Sequence, residues 1–113
     1  MSCANGFVAV LVVDLHFPEA GSLKGKRKDL QSIKSIVQGR FGAAVSEVAF
    51  HDLWQRARLL ACIAGGSAAI VTERAEHLER WLDSRAPAGA GIERLIVSVD
   101  DLRDVISSVE PGG

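Results

Sequence analysis

Tyrosine is absent from this sequence, and four phenylalanines with two tryptophans are its whole aromatic complement. An RNA reader of the RRM type stacks bases on a run of sheet-face aromatics, so this scarcity argues against that mode of recognition. Cysteine is nearly as rare. Cys3 and Cys62 stand far apart, form no CxxC and have no histidine at zinc spacing, which argues against a disulfide framework or a structural metal site and fits a reducing cytoplasm. The most apolar stretch, Phe7 to Val13, is too short to cross a bilayer, and no cationic segment precedes it as a secretory signal would require. His16, His51 and His77 are scattered, and neither a Ser-His-Asp nor a Cys-His grouping can be assembled from the pattern. No cofactor, metal or catalytic residue is therefore expected.

What is present is an ordinary globular composition, 48% apolar and 24% charged over 113 residues. That size suits one domain, residues 1–113, with a core over about 6–100 and a C-terminal extension at 101–113. The net charge of −1 hides a polarised distribution: residues 22–41 hold six cations against Asp29 alone, +5, which leaves −6 elsewhere. Nucleic-acid binding over the whole surface is disfavoured and no DNA partner is expected, whereas a local phosphate-binding patch is compatible with a pI near 6.3.

The cationic window is itself a helix signal. Ser22 is a good N-cap, and Leu23, Leu30, Ile33, Val37 and Phe41 recur on one face of a 3.6-residue period. Lys24, Arg27, Lys28, Gln31, Lys34 and Gln38 collect opposite, while Lys26 falls near the middle of the apolar arc and should overhang the end of the core. Lys24, Lys26, Arg27 and Lys28 also crowd the positive end of the helix macrodipole, each at a cost of about 0.3–1 kcal/mol. Cations and free backbone N–H groups at one helix end suit an anion, with phosphate the natural candidate. The competing reading is a solvated charged face softened by Glu19 and Asp29.

Along the chain, residues 7–16 are apolar on both faces and predict a central strand. The helix covers 23–40, a second strand 43–50, a hairpin connection 51–54 and a third strand 55–64. In that third strand Ala57, Leu59, Ala61 and Ile63 face one way, and Arg56, Arg58, Leu60 and Cys62 the other. A second helix over 68–85 has an inner stripe of Ile70, Val71, Leu78, Trp81 and Leu82. A flexible connection at 87–91, a fourth strand at 92–99 and a short helix at 101–109 capped by Asp100 complete the chain, with 111–113 frayed. The order β-α-β-β-α-β predicts an α+β, ferredoxin-like, split β-α-β domain: an antiparallel sheet ordered 4-1-3-2 with both helices on one face. Lys24, Lys26, Arg27, Trp54, Gln55 and Arg56 would then gather at one corner, with Asp14 and Arg58 a cross-strand ion pair nearby.

Two motifs carry a family likeness. Ser22-Leu23-Lys24-Gly25-Lys26-Arg27, followed by Phe41, Val45-Ser46-Glu47-Val48 and Asp52-Leu53-Trp54-Gln55-Arg56-Ala57, resembles the YlxP-like family of small bacterial proteins, a domain of unknown function. The likeness covers most of residues 7–82 and implies a ferredoxin-like, cytoplasmic bacterial protein. Members of the family are often encoded among translation and ribosome-maturation genes, which implies a link to RNA or the ribosome. The chain departs from the family at Gly25, where a charged residue is common, and in its Gly-rich connection and longer segment after Arg85.

Three functional classes follow. In the first, Lys24, Lys26, Arg27 and Arg56 hold phosphates of RNA or a ribosome, while Trp54 and Gln55 shape the hairpin or meet the partner; Trp54 either stacks on a base or packs against Leu23 or a partner chain. In the second, Val8, Val10, Val12 and Leu60, with Cys62, form an apolar open sheet face that buries itself in a homodimer or another protein, unless 101–109 folds back over it. The third is a small acylphosphatase-like hydrolase, for which only the architecture speaks.

Overall fold

The computed structural model describes residues 6–86 and 89–108 and builds them into β1 (Phe7–His16), α1 (Leu23–Phe41), β2 (Ala44–Ala49), β3 (Arg56–Gly65), α2 (Ala68–Arg85), β4 (Ala90–Ser98) and α3 (Val99–Ser108). The strands form one antiparallel sheet ordered β2-β3-β1-β4. This is the expected 4-1-3-2 arrangement. Cys3, residues 87–88 of the connection, the expected end of the last helix at Val109 and the segment 111–113 lie outside the described residues.

β1 takes the centre because both of its faces are apolar and can lie under neighbours on either side. Its register sets Val10 opposite Cys62 on β3 and opposite Leu95 on β4. Ala9, Leu11, Val13 and Leu15 turn to the helices with Ala57, Leu59, Ala61 and Ile63, and all eight are buried. Leu30, Ile33 and Val37 of α1 close over one half, and Val71, Ala75, Leu78 and Leu82 of α2 over the other. The inner stripe of α2 thus follows the 3.6 period from Val71, which corrects two expected members. Ile70, one position out of phase, is 51% exposed, and Trp81 is half-buried at the stripe's edge.

Both long helices are capped as their sequences ask. Ser22 Oγ accepts from Gly25 N at 3.0 Å, and Ser67 Oγ accepts from Ile70 N at 3.1 Å. α1 ends on Gly42 in the left-handed region at φ 63°, where a Cβ would stand 2.9 Å from the Arg74 guanidinium. Gly42→Ala should therefore cost about 1–2 kcal/mol, through an unfavourable φ and a displaced arginine. A urea midpoint lowered at constant m-value checks this.

The last third departs from expectation in its boundaries. β4 begins at Ala90, because pairing of Leu15 with Ala90 extends the ladder into the anticipated loop. The cap of α3 is Ser98 rather than Asp100: Ser98 Oγ accepts from Asp101 N at 2.9 Å while Asp101 Oδ2 accepts from Ser98 N at 3.1 Å, a reciprocal capping box. α3 meets the sheet at β4 and leaves Leu102, Val105 and Ile106 exposed, so it does not fold back over the open face. Val8, Val10, Val12, Leu60 and Cys62 all lie on that face at intermediate burial, joined by the half-exposed Leu95. Among the described residues no helix is long and apolar enough to cross a membrane.

Candidate functional site

The first turn of α1 and the β2–β3 hairpin are joined by one side chain. Lys26 points inward from the apolar arc of α1, is 1% exposed, and donates from Nζ to Phe50 O and Leu53 O, each at 2.7 Å. His51 O lies at 3.4 Å, and Glu47 Oε2 at 3.2 Å balances the charge without an aligned hydrogen bond. These contacts hold a strained turn. Phe50 has a left-handed φ of 64°, which costs a non-glycine residue roughly 1–3 kcal/mol, and its carbonyl also takes Leu53 N at 3.1 Å. Lys26 was expected among the anion ligands; its ammonium is instead consumed by carbonyls and a carboxylate inside the protein.

Arg56 is also placed differently from the expected corner. Period-two alternation sends it to the open sheet face with Arg58 and Leu60, across the sheet from α1. There its guanidinium lies 4.0 Å from the Phe50 ring centroid and 3.8 Å from Asp14 Oδ1. Arg58 grips the same carboxylate through Nε at 2.9 Å and Nη2 at 3.3 Å, the anticipated cross-strand pair. The two arginines and Asp14 thus form a local network on the opposite face from Lys24 and Arg27.

Lys24, Arg27 and Lys28 do reach solvent, and none of them has a carboxylate partner among the described residues. Trp54 is 51% exposed rather than packed away, and with Leu53 it forms the wall of a shallow 460 Å³ recess spanning Asp52 to Arg56. Because Leu53 O is bound to Lys26, the hairpin backbone that carries this half-exposed ring is tied to the first turn of α1. Gln55 ties the hairpin to the β1–α1 connection, its carbonyl accepting from Phe17 N at 2.8 Å and its side chain making a long 3.5 Å contact to Pro18 O.

Sequence reasoning missed a second basic region. An open recess of about 840 Å³ at the far end of α1 is lined by Gly39, Arg40, Phe41, Gly42, Arg74, His77, Arg80, Trp81 and Ser84, with no carboxylate in its wall. Arg74 is anchored there by donating to Phe41 O at 3.0 Å and Ala64 O at 3.2 Å. The signal was present as Arg40 in the last turn of α1 and Arg74 and Arg80 along α2, but only the packing of the two helices makes them neighbours.

Comparison with known proteins bears on residues 8–93, which match a family model described as protein of unknown function (DUF503). The chain belongs to this family. The matched span contains the Lys26 strut, the hairpin and the α1–α2 recess, and it ends inside β4, so α3 lies beyond it. The uncharacterized protein YlxP of Bacillus subtilis (strain 168) is 32% identical over 66 residues, covering 58% of this chain and 72% of its own. A solved structure, the de novo designed protein Foldit4, superposes with a TM-score of 0.52 at 10% identity, covering 81% of this chain and 96% of its own. That likeness concerns the fold alone. The family description assigns no activity, so function rests on the chemistry of the surfaces.

Proposed function

We propose that this DUF503 family member is a cytoplasmic, non-enzymatic binding module whose helical layer takes a phosphate-bearing partner, RNA free or exposed on the ribosome. One observation carries the reading: the exposed side of α1 offers Lys24, Arg27, Lys28 and Arg40 to solvent with Asp29 as the one acid of that helix. Cations at a helix start, where the dipole already repels them, are stabilised by an anion that occupies the turn. Trp54, exposed on the hairpin that Lys26 ties to that turn, supplies a flat surface for a base or a neighbouring side chain.

The double variant Lys24→Ala with Arg27→Ala tests it. Both side chains are exposed, so stability should stay within about 0.5 kcal/mol. Affinity for single-stranded RNA and co-sedimentation with ribosomes should fall roughly tenfold, and the slope of log affinity against log salt should flatten by about 1.4, about 0.7 per lost phosphate contact. Co-sedimentation equal to that of the unaltered protein would refute the reading.

A second and compatible reading is supported by the opposite side of the molecule. The row Val8, Val10, Val12 with Leu60 and Leu95 is an apolar patch that α3 leaves uncovered, and a second copy of the chain would bury it sheet to sheet. Arg56, Arg58 and Asp14 at one end of the face provide a polar rim.

A further inference from the structure

The two sides of α2 differ in charge, and the division has a physical origin. Towards β4, Glu76 and Glu79 lie 3.6 and 3.3 Å from the Arg94 guanidinium, and Asp83 Oδ1 accepts from Ala90 N at 3.3 Å. Three of the four acids of the helix, Glu76, Glu79 and Asp83, are thus drawn to the β4 side, while Glu73 stays exposed one turn before His77. Towards α1, Arg74, His77, Trp81 and Arg85 recur at helical spacing, Trp81 packs on Phe41 with centroids 5.7 Å apart, and Arg85 Nη2 donates to Ser32 Oγ at 3.2 Å.

Ser32 belongs to a row of α1 that begins with Lys24 and Lys28 at i, i+4 spacing and continues through Ser35 to Gly39, which lines the 840 Å³ recess. Gly39 is exposed at the rim of the recess, and a side chain there would meet nothing within 4 Å. Cations therefore follow one another from the outer row of α1 to the helix seam: Lys24 and Lys28, then Arg85 beside Ser32, then Arg40 and Arg80 around the half-buried Trp81, with Asp29 the one acid of α1 near this line. Arg40 and Arg80 carry no carboxylate partner among the described residues.

We infer that this seam is a track for one single strand of RNA, whose phosphates pass along Lys24, Lys28 and Arg85 and whose final nucleotide enters the recess, phosphate on Arg40 and Arg80, base against Trp81. The inference rests on the RNA reading above and adds a path, a polarity of contacts and a length. α1 has 19 residues and so is about 28 Å long, which corresponds to roughly eight stacked nucleotides at 3.4 Å each. Shorter strands reach one end only.

The test uses the full chain with Trp54→Phe, which keeps a ring on the hairpin and leaves Trp81 as the sole tryptophan. Titration with oligouridylates of four, eight and twelve nucleotides should quench Trp81 emission. Affinity should rise about tenfold between four and eight nucleotides and little beyond, because the track is then filled. Arg40→Ala with Arg80→Ala should weaken the eight-nucleotide strand about tenfold and abolish that length step, while the four-nucleotide strand changes less. RNA binding without Trp81 quenching and insensitive to the arginine pair would overturn the track yet leave the cationic turn as the site. No binding of any length by the unaltered chain would overturn both.

Discussion

Replacing Lys26 by methionine lowers the melting temperature by about 10–15 °C. Methionine keeps the length and the apolar stem, so the packing of the arm under the hairpin is preserved and the loss isolates the ammonium. Without it Phe50 O loses its charged donor, keeping only the turn bond from Leu53 N, and Leu53 O loses a bond of 2.7 Å. Glu47 Oε2, buried and without an aligned hydrogen bond, loses the cation 3.2 Å away. Breaking a buried pair from one side costs roughly 3–5 kcal/mol, and the partial exposure of Glu47 argues for the lower end, about 3 kcal/mol. For a chain of 113 residues that corresponds to the stated shift. Lys26→Met combined with Glu47→Gln should recover about half of it, since the stranded carboxylate is then neutral. Thermal unfolding of the two variants decides the point: equal melting temperatures would mean that Glu47 contributes nothing, and a wild-type value for Lys26→Met would mean that the strut is dispensable.

The second large effect is on the opposite face. If sheet faces pair, the protein sediments with twice the mass of one chain, and Val10→Glu or Leu60→Glu converts it to a monomer at every accessible concentration. Each glutamate would be forced into an apolar contact without a partner, a penalty of several kcal/mol per interface and hence a loss of at least a hundredfold in association. The monomer itself should remain folded, because Val10 and Leu60 sit on the side that the helices do not cover. Analytical ultracentrifugation of the three proteins is sufficient, and a concentration-independent monomer for the unaltered chain would eliminate the dimer.

How far the sequence speaks can be judged from individual residues. The place of β1 at the centre was legible because Phe7 to Val13 is apolar on both faces, a pattern that edge strands avoid. The position of Lys26 inside the apolar arc was legible on the helical wheel, but its partners were not. Backbone carbonyls leave no residue-type signature, so a lysine destined for Phe50 O and Leu53 O looks the same as one destined for phosphate. Arg56 illustrates a different failure: the alternation that grouped it with Arg58 and Leu60 already set it on the face away from α1, and gathering the corner residues by sheet end alone obscured that division. The recess around Trp81 was illegible for a third reason. Arg40 and Arg80 are remote in sequence and meet only through helix packing, and the withdrawal of Glu76 and Glu79 towards Arg94 depends on the rotation of that helix.

The strand order has a bearing on how the chain comes to its shape. β1 is made first, yet Phe7 finds its ladder partners at Gly65 and Ser98, so the most apolar strand has no backbone partner until much of the polypeptide exists. Closing such distant loops costs entropy before any contact rewards it, which places this topology among slower folders with a vulnerable early species. During synthesis β3 is the earliest rescuer, and β4 is the last strand to join the sheet. Nascent chains halted before Arg56 should therefore be the ones that recruit chaperones.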